Sequence, residues 1–442
     1  MRHGKWSVYG VLISVLLLTI PTQVAAAGKI KIGVISPMNF MQGRDAWDGA
    51  TLAAEEINKS GGITVKGVKY EIELVKADSN EFASVPDAIS AFERLITLDK
   101  VNFVVGGFRS EATLAQQELL AQYKIIYLNT GSAAPDLTAR VKQNYDKYKY
   151  YFRDNSVNSV LATPPVSATL QVVMDKLKTQ LGIQKPNVGL IMQKARYIDA
   201  MVDPVQKIVA ALGGKVVGLW RPSATAPTLV AELSAAKEAN AHLCFITFDG
   251  PAGVITDKEW GAMKFPFVNT GYNSEAQTKQ HWEATNGYCE YSTNLGWIAR
   301  SNITKANAPF WDEYVKRYNR FPSVYSATHS AINVLKVAIE KAGTMGSDIL
   351  VGELEKIDYP TSYFRQVFYQ KDQKFAHDTI IGAGHSTGYV MQWIKGELKV
   401  VWPDGKPLQT SEDAQSWRGI RYEGTVDYRL PPWVVEYWKD KK

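Results

Sequence analysis

Three polar loops in the first third of the chain carry the residue types best suited to chemistry: SPMNFMQGRD from Ser36, GGFRSEAT from Gly106 and NTGSAAPD from Asn129. Each follows a short apolar run and precedes a helix-like pattern. In parallel α/β sheets that is where strand ends and helix N-termini offer unpaired N–H groups and partial positive charge to an anion. Gly106 and Gly107 permit close backbone approach, and Ser110 puts a hydroxyl at an expected N-cap. Thr130, Gly131 and Ser132 repeat the device on the next loop. Ser110 and Ser132 could each do no more than cap their own helices; their recurrence on neighbouring strands points to a shared site for a small anion. Arg44 and Arg109 stand at loop tips with Phe40 and Phe108 beside them. Solvated arginines are the ordinary state, and a charge-assisted bond to an anion is the functional one.

Enzyme chemistry finds little support. No Gly-Lys-Ser/Thr follows Gly106-Gly107, and GVISPMNFMQG lacks dinucleotide-binding spacing. No G-x-S-x-G elbow is expected anywhere in the chain. The six histidines, His3, His242, His281, His329, His377 and His385, are scattered without a cysteine or carboxylate cluster at metal-ligand spacing. Neither a metal nor an organic cofactor is expected, nor is catalysis. A net charge of +6 over 442 residues is too mild and dispersed for a nucleic-acid surface.

The elements that must position the loops alternate in type. KIKIGVIS is a strand, and RDAWDGATLAAEEIN sets Ala46, Ala50, Ala53 and Ile57 on one helix face. YEIELVKAD is a strand, and a helix runs from Ser84 to Leu98 with Asp87 at capping-box spacing. The same grammar restarts after Arg153 and again implies parallel sheets buried on both faces. Two α/β lobes are therefore expected, in keeping with a length beyond one core. Further helices follow, then paired strands that turn at Lys395-Gly396.

The N-terminus joins basic residues, an apolar run from Val8 to Ile20, Pro21 and the small residues Ala25-Ala26-Ala27. This is the layout of a secretory signal peptide over residues 1–27, cleaved after about Ala27, which sends the mature chain to the periplasm. Cys244 and Cys289 lie in apolar, strand-like runs. An oxidising compartment permits a bridge between them, but two buried thiols are the simpler expectation.

KIKIGVISPMNFMQGRDAWDGATLAAEEINKSGGI, VKYEIELVKADS, VVGGFRSEATLA, LNTGSAAPDLT and NVGLIMQKARYIDAMV, in this order, resemble the periplasmic leucine/isoleucine/valine-binding family. These are the substrate-binding subunits of branched-chain amino-acid type ABC importers. The similarity runs from about Lys29 to about Trp402 and rests on the order of the segments rather than on one motif. It implies two Rossmann-like lobes joined by three crossovers, near Arg153, Tyr291 and Phe364, that close on ligand as a clamshell. The N-terminal lobe would comprise 28–153 plus about 291–364, and the C-terminal lobe 154–290 plus about 365–402.

The resemblance further implies a carboxylate held by Ser110 and by the loop Gly131 to Ala133, with Tyr197 closing from the other lobe. It departs from the family at two places. Ala133 stands where a hydroxyl residue is usual, and the residue that would pair an α-amine falls at Gly271, beside Tyr272, with Asp249 as a substitute. Tyr197, Phe248 and Tyr272 could clamp a planar or apolar body. The expected function is capture of a small carboxylate, a branched-chain amino acid or a related or aromatic acid, for delivery to a membrane permease by a monomeric protein. A ligand-sensing module and a secreted hydrolase are the alternatives. Residues 403–442 lie outside the resemblance, and their tryptophans and tyrosines are expected to pack back onto a lobe.

Overall fold

The computed structural model describes residues 1, 3, 4, 28–410, 414–439 and 441. Apart from Met1, His3 and Gly4, the expected signal peptide lies outside the described residues. Among those described, no helix is long and apolar enough to cross a membrane.

Strands β1 (Gly28–Ser36), β2 (Ile63–Val65), β3 (Val68–Asp78), β4 (Phe103–Gly106), β5 (Ile126–Asn129) and β6 (Tyr151–Arg153) form one sheet in the order β2-β3-β1-β4-β5-β6. Every pair is parallel except the β2–β3 hairpin. Helices cover both faces, which is why β1 reads as a nearly continuous apolar run: Ile30, Ile32, Val34 and Ile35 are fully buried. The helix Val85–Thr97 starts as its sequence predicts, with Ser84 Oγ accepting from Asp87 N at 3.2 Å.

The second sheet contains β7 (Asn187–Met192), β8 (Lys215–Trp220), β9 (Leu243–Phe248), β10 (Val268–Asn273) and β11 (Thr293–Gly296). After a small ribbon of β12 (Asp358–Pro360) and β13 (Arg365–Val367) it gains β14 (Tyr389–Ile394) and β15 (Glu397–Trp402). Its order is β15-β14-β11-β10-β9-β7-β8, with β14 antiparallel to both neighbours. Lys395 and Gly396, at φ 52° and 77°, make the tight turn between β14 and β15. The protein is thus α/β with two mixed, mostly parallel sheets.

The chain passes between the two sheets three times. The first passage follows Arg153, the last residue of β6. The second lies beyond Gly296 rather than near Tyr291, because Thr293–Gly296 pairs with β10 and β14 in the second sheet. The helix Thr328–Ala342 then returns to the first lobe, where Ile332 and Leu335 share a core with Ile30 and Phe103. The third passage lies between Asp378 and Tyr389 rather than near Phe364, since Phe368 and Ala376 still belong to that first core.

Residues beyond Trp402 bind the second lobe. Trp417, Tyr428, Leu430 and Val434 are buried in its core, and the indoles of Trp433 and Trp438 donate to Phe265 O and Pro266 O at 3.0 and 2.6 Å. Cys244 lies in β9, whereas Cys289 lies in a turn; both are buried and free.

Candidate functional site

A cavity opens between the lobes, beyond the carboxyl ends of β4 and β5 on one side and of β9 and β10 on the other. The first lobe contributes Phe108, Arg109, Ser110, Glu111, Gly131 and Ala133. The second contributes Ala195, Tyr197, Met201, Asp249 and Tyr272. Most of the remaining wall is apolar, with Val157, Val166, Leu295, Trp297 and Tyr325 among it.

Two glycines let the anion-site loops meet. A Cβ on Gly107, at φ 83°, would lie 2.0 Å from the Tyr127 hydroxyl, and one on Gly131 would lie 2.3 Å from Gly107 O. The helix Ser110–Tyr123 begins at Ser110 itself, with Arg109 as its N-cap. Ser110 therefore does not cap its own helix, contrary to expectation. Its Oγ accepts from Ala134 N at 3.0 Å and ties the second loop to the third. A hydroxyl that accepts one bond still has its hydrogen to donate, and here that group faces the cavity. Ala133 N has no partner in the protein, so it too is free to donate.

Ser132 departs from expectation. Its Oγ turns inward to Thr113 Oγ1 at 2.6 Å and Asn129 Nδ2 at 3.1 Å, fully buried and away from the cavity. It stiffens the loop whose neighbours Gly131 and Ala133 form the wall. Arg109 is in the wall. Its backbone N donates to Glu81 Oε2 at 2.6 Å, and its guanidinium lies 3.5 Å from Glu111. Burial pushes the Glu81 carboxyl up to about 7, against the opposing pull of its bonds from Ser79 and Arg109.

Phe40 and Arg44 are not in the wall. Phe40 is partly exposed and packs 4.4 Å from Phe82, while Arg44 is exposed on the outer face of its helix. Between them Gln42 turns inward, and its Nε2 crosses the cleft to Asp249 O at 3.0 Å. Helical rotation separates these residues, and a loop assignment for Arg44 hid that separation.

On the second lobe, Tyr197 and Tyr272 face the cavity, and the buried Tyr197 hydroxyl has no partner at hydrogen-bond distance in the protein. Asp249, 8% exposed, follows β9; it accepts from Gln193 Nε2 and donates its own N to Gln193 Oε1 at 3.1 Å. Burial raises its carboxyl above the usual range, opposed by Gln193 and Arg109. Gly271 does not reach the cavity. It sits within β10 at φ 138°, where a Cβ would meet Ile246 O at 2.1 Å, and strand alternation presents Tyr272 instead.

Of the wall residues that sequence reasoning missed, Val157, Ser159, Leu295, Trp297, Val324 and Tyr325 sit in or beside the passages between lobes. Their topological position was the available signal, since a chain crossing between lobes must run past the cleft. One motif also needs correction: Gly384 to Gly388 reads GHSTG and fits a G-x-S-x-G pattern. It lies in the third passage rather than on a strand-to-helix turn, and Ser386 Oγ is bonded to Ser156 Oγ at 2.5 Å, so it forms no nucleophile elbow. Among the described residues, no group of histidine, cysteine and carboxylate side chains is arranged to hold a metal.

The sequence pattern of the periplasmic binding protein family matches residues 29–395. The Leu/Ile/Val-binding protein homolog 7 of Brucella abortus is 30% identical over 401 residues, 87% of this chain and 94% of that protein. With curated relatives that match over shorter stretches, the chain spans 30% to 53% of their length. A branched-chain amino acid transporter substrate-binding protein of Streptococcus pneumoniae, solved with isoleucine, superposes with a TM-score of 0.67 at 19% identity, covering 84% of this chain and 99% of that one. An ABC transporter solute-binding protein of R. palustris, solved with benzoate, gives 0.68 at 15% identity, covering 85% and 96%. The chain belongs to the periplasmic binding protein family, a family of solute-binding proteins rather than enzymes.

Proposed function

We propose that this protein is the solute-binding subunit of an ABC importer and captures a small monocarboxylate with a branched or aromatic apolar body. The observation that carries this reading is the polarity of the cavity: free donors at Ser110 Oγ and Ala133 N at one end, and a mostly apolar wall around the rest. The first-turn N–H groups of the helix Ser110–Tyr123 and the Arg109 guanidinium add positive potential at the same end. The isoleucine and benzoate held by related structures support the same chemistry.

An α-amine would find less. Glu111 is engaged by Arg109 and by Arg196 N, and burial raises the Asp249 carboxyl above its ordinary value. Tyr272 and Tyr197 add aromatic surface on that side. Capture in the periplasm after signal-peptide removal, as a monomer that hands its ligand to a membrane permease, completes the reading.

Calorimetry with leucine, 4-methylpentanoate and benzoate tests it. The amine-free acids should bind at least as tightly as leucine, and ligand at about one hundred times its dissociation constant should add about 2.7 kcal/mol of stability. Tight binding of leucine with no response to either amine-free acid would overturn the assignment and make Asp249 an amine partner.

A further inference from the structure

We propose that Ser159, in the first passage between the lobes, is a further ligand-binding and specificity-determining residue, its hydroxyl donating to the ligand's anionic group beside Ala133. This rests on the carboxylate reading of the cavity given above. Ser159 lines the cavity and is 5% exposed, and its Oγ has no hydrogen-bond partner in the protein. A buried hydroxyl left unpaired is costly, so its partner belongs in the space it faces.

The backbone fixes where that hydroxyl is. Ser159 N donates to Ala133 O at 3.0 Å, which holds the passage against the third loop. Asn158 anchors the same turn: its Oδ1 accepts from Val160 N at 3.0 Å and its Nδ2 donates to Asp378 Oδ2 at 2.6 Å. Ala133 has no side-chain donor and offers the ligand only its N–H. Ser110 Oγ reaches in from the other loop. A carboxylate has two oxygens and about four acceptor positions, so the Ser159 hydroxyl complements Ser110 Oγ and Ala133 N rather than competing with them. Tyr197 is the other wall residue with an unpaired buried hydroxyl, and it comes from the opposite lobe. Ser159 is thus the one that lies with the anion donors.

Ser159→Ala and Ser110→Ala variants, titrated with benzoate and 4-methylpentanoate and melted without ligand, test the assignment. Ser159→Ala should lose about tenfold to a hundredfold in affinity, the range for a hydrogen bond to a charged group. Its ligand-free melting temperature should be unchanged or higher, because an unpaired buried hydroxyl is removed. Wild-type affinity in Ser159→Ala, with binding weakened in Ser110→Ala, would overturn the Ser159 assignment and leave the carboxylate site standing. Weaker binding with a lower ligand-free melting temperature would make Ser159 structural and overturn it too. Failure of the wild-type protein to bind either acid would remove the carboxylate reading and this assignment together.

Discussion

Arg153 and Asp378 form a fully buried ion pair, Nη1 to Oδ2 at 2.6 Å, where the first and third passages between the lobes run side by side. Arg153 N also donates to His377 O at 2.9 Å. Asp378 Oδ2 accepts from Thr138 Oγ1 at 2.8 Å and from Asn158 Nδ2 at 2.6 Å. Burial raises the Asp378 carboxyl, and Arg153 is the largest influence opposing it. The pair therefore fixes the root of the cavity to the lobe that carries the anion loops.

Removing one partner of such a pair leaves an uncompensated buried charge. Asp378→Asn should destabilise the protein by about 3 to 5 kcal/mol. Denaturant unfolding measures this directly, and a loss below about 1 kcal/mol would mean that the pair is not desolvated in solution.

Ser110→Ala should act on binding and on folding together. It deletes a donor to the ligand, worth about 1.5 to 3 kcal/mol of binding. It also strands Ala134 N, for about 1 to 3 kcal/mol of stability. Calorimetry beside chemical unfolding separates the two effects. Loss of stability with unchanged affinity would assign Ser110 to loop tethering alone.

The strands and helices around these loops were legible because both faces of each sheet are buried and each helix keeps one apolar stripe. Ser84, predicted as a cap, is one. Ser110 was legible as a site residue but not in its local role, because its acceptor bond goes to Ala134, twenty-four positions along the chain. Ser132 and Arg44 show the complementary failure: their types and spacing suited an anion, but side-chain direction was set by Asn129 and by helical rotation. Leu295 and Trp297 entered the cavity unannounced, since assigning Thr293–Gly296 to the second sheet requires its long-range pairing with β14. Sequence periodicity carries no information on that pairing.

Glu81 and Asp45 should each lose stabilising free energy as pH rises from about 5 to about 8, while His242, lowered by burial to about 4, acts in the opposite sense up to about 6.5. Burial pushes Glu81 from 4.5 up to about 7 and Asp45 from 3.8 up to about 6, the latter against its bond from Ser323 and the nearby Arg320. A carboxyl with a raised folded pKa binds its proton more tightly in the fold. Its contribution is complete below the unfolded pKa and is lost as pH rises through the folded value. Glu81→Gln keeps an acceptor for Arg109 N and removes one titration. The melting temperature of the wild type relative to the variant should decline across this window. A difference that is flat or grows in favour of the wild type would contradict the assignment.

Closure of the cleft should depend on ligand. Polar contacts bridge its rim, among them Arg196 Nε to Asp136 Oδ2 at 3.0 Å, Arg196 N to Glu111 Oε1 at 3.3 Å, and Gln42 Nε2 to Asp249 O at 3.0 Å. The Arg196–Asp136 pair is exposed, with side chains about half accessible, and exposed pairs contribute about 1 kcal/mol or less. Met41 and Phe108 pack with second-lobe residues and Tyr197 packs against the first core, and a filled cavity should add closing free energy to these contacts. Solution scattering should show a larger radius of gyration without ligand than with saturating benzoate or 4-methylpentanoate. Arg196→Ala should weaken binding by no more than about fivefold, the equivalent of about 1 kcal/mol, and leave the ligand-bound radius unchanged. An equally compact protein with and without ligand would mean that the rim contacts hold the cleft shut unaided, and the clamshell account would fail.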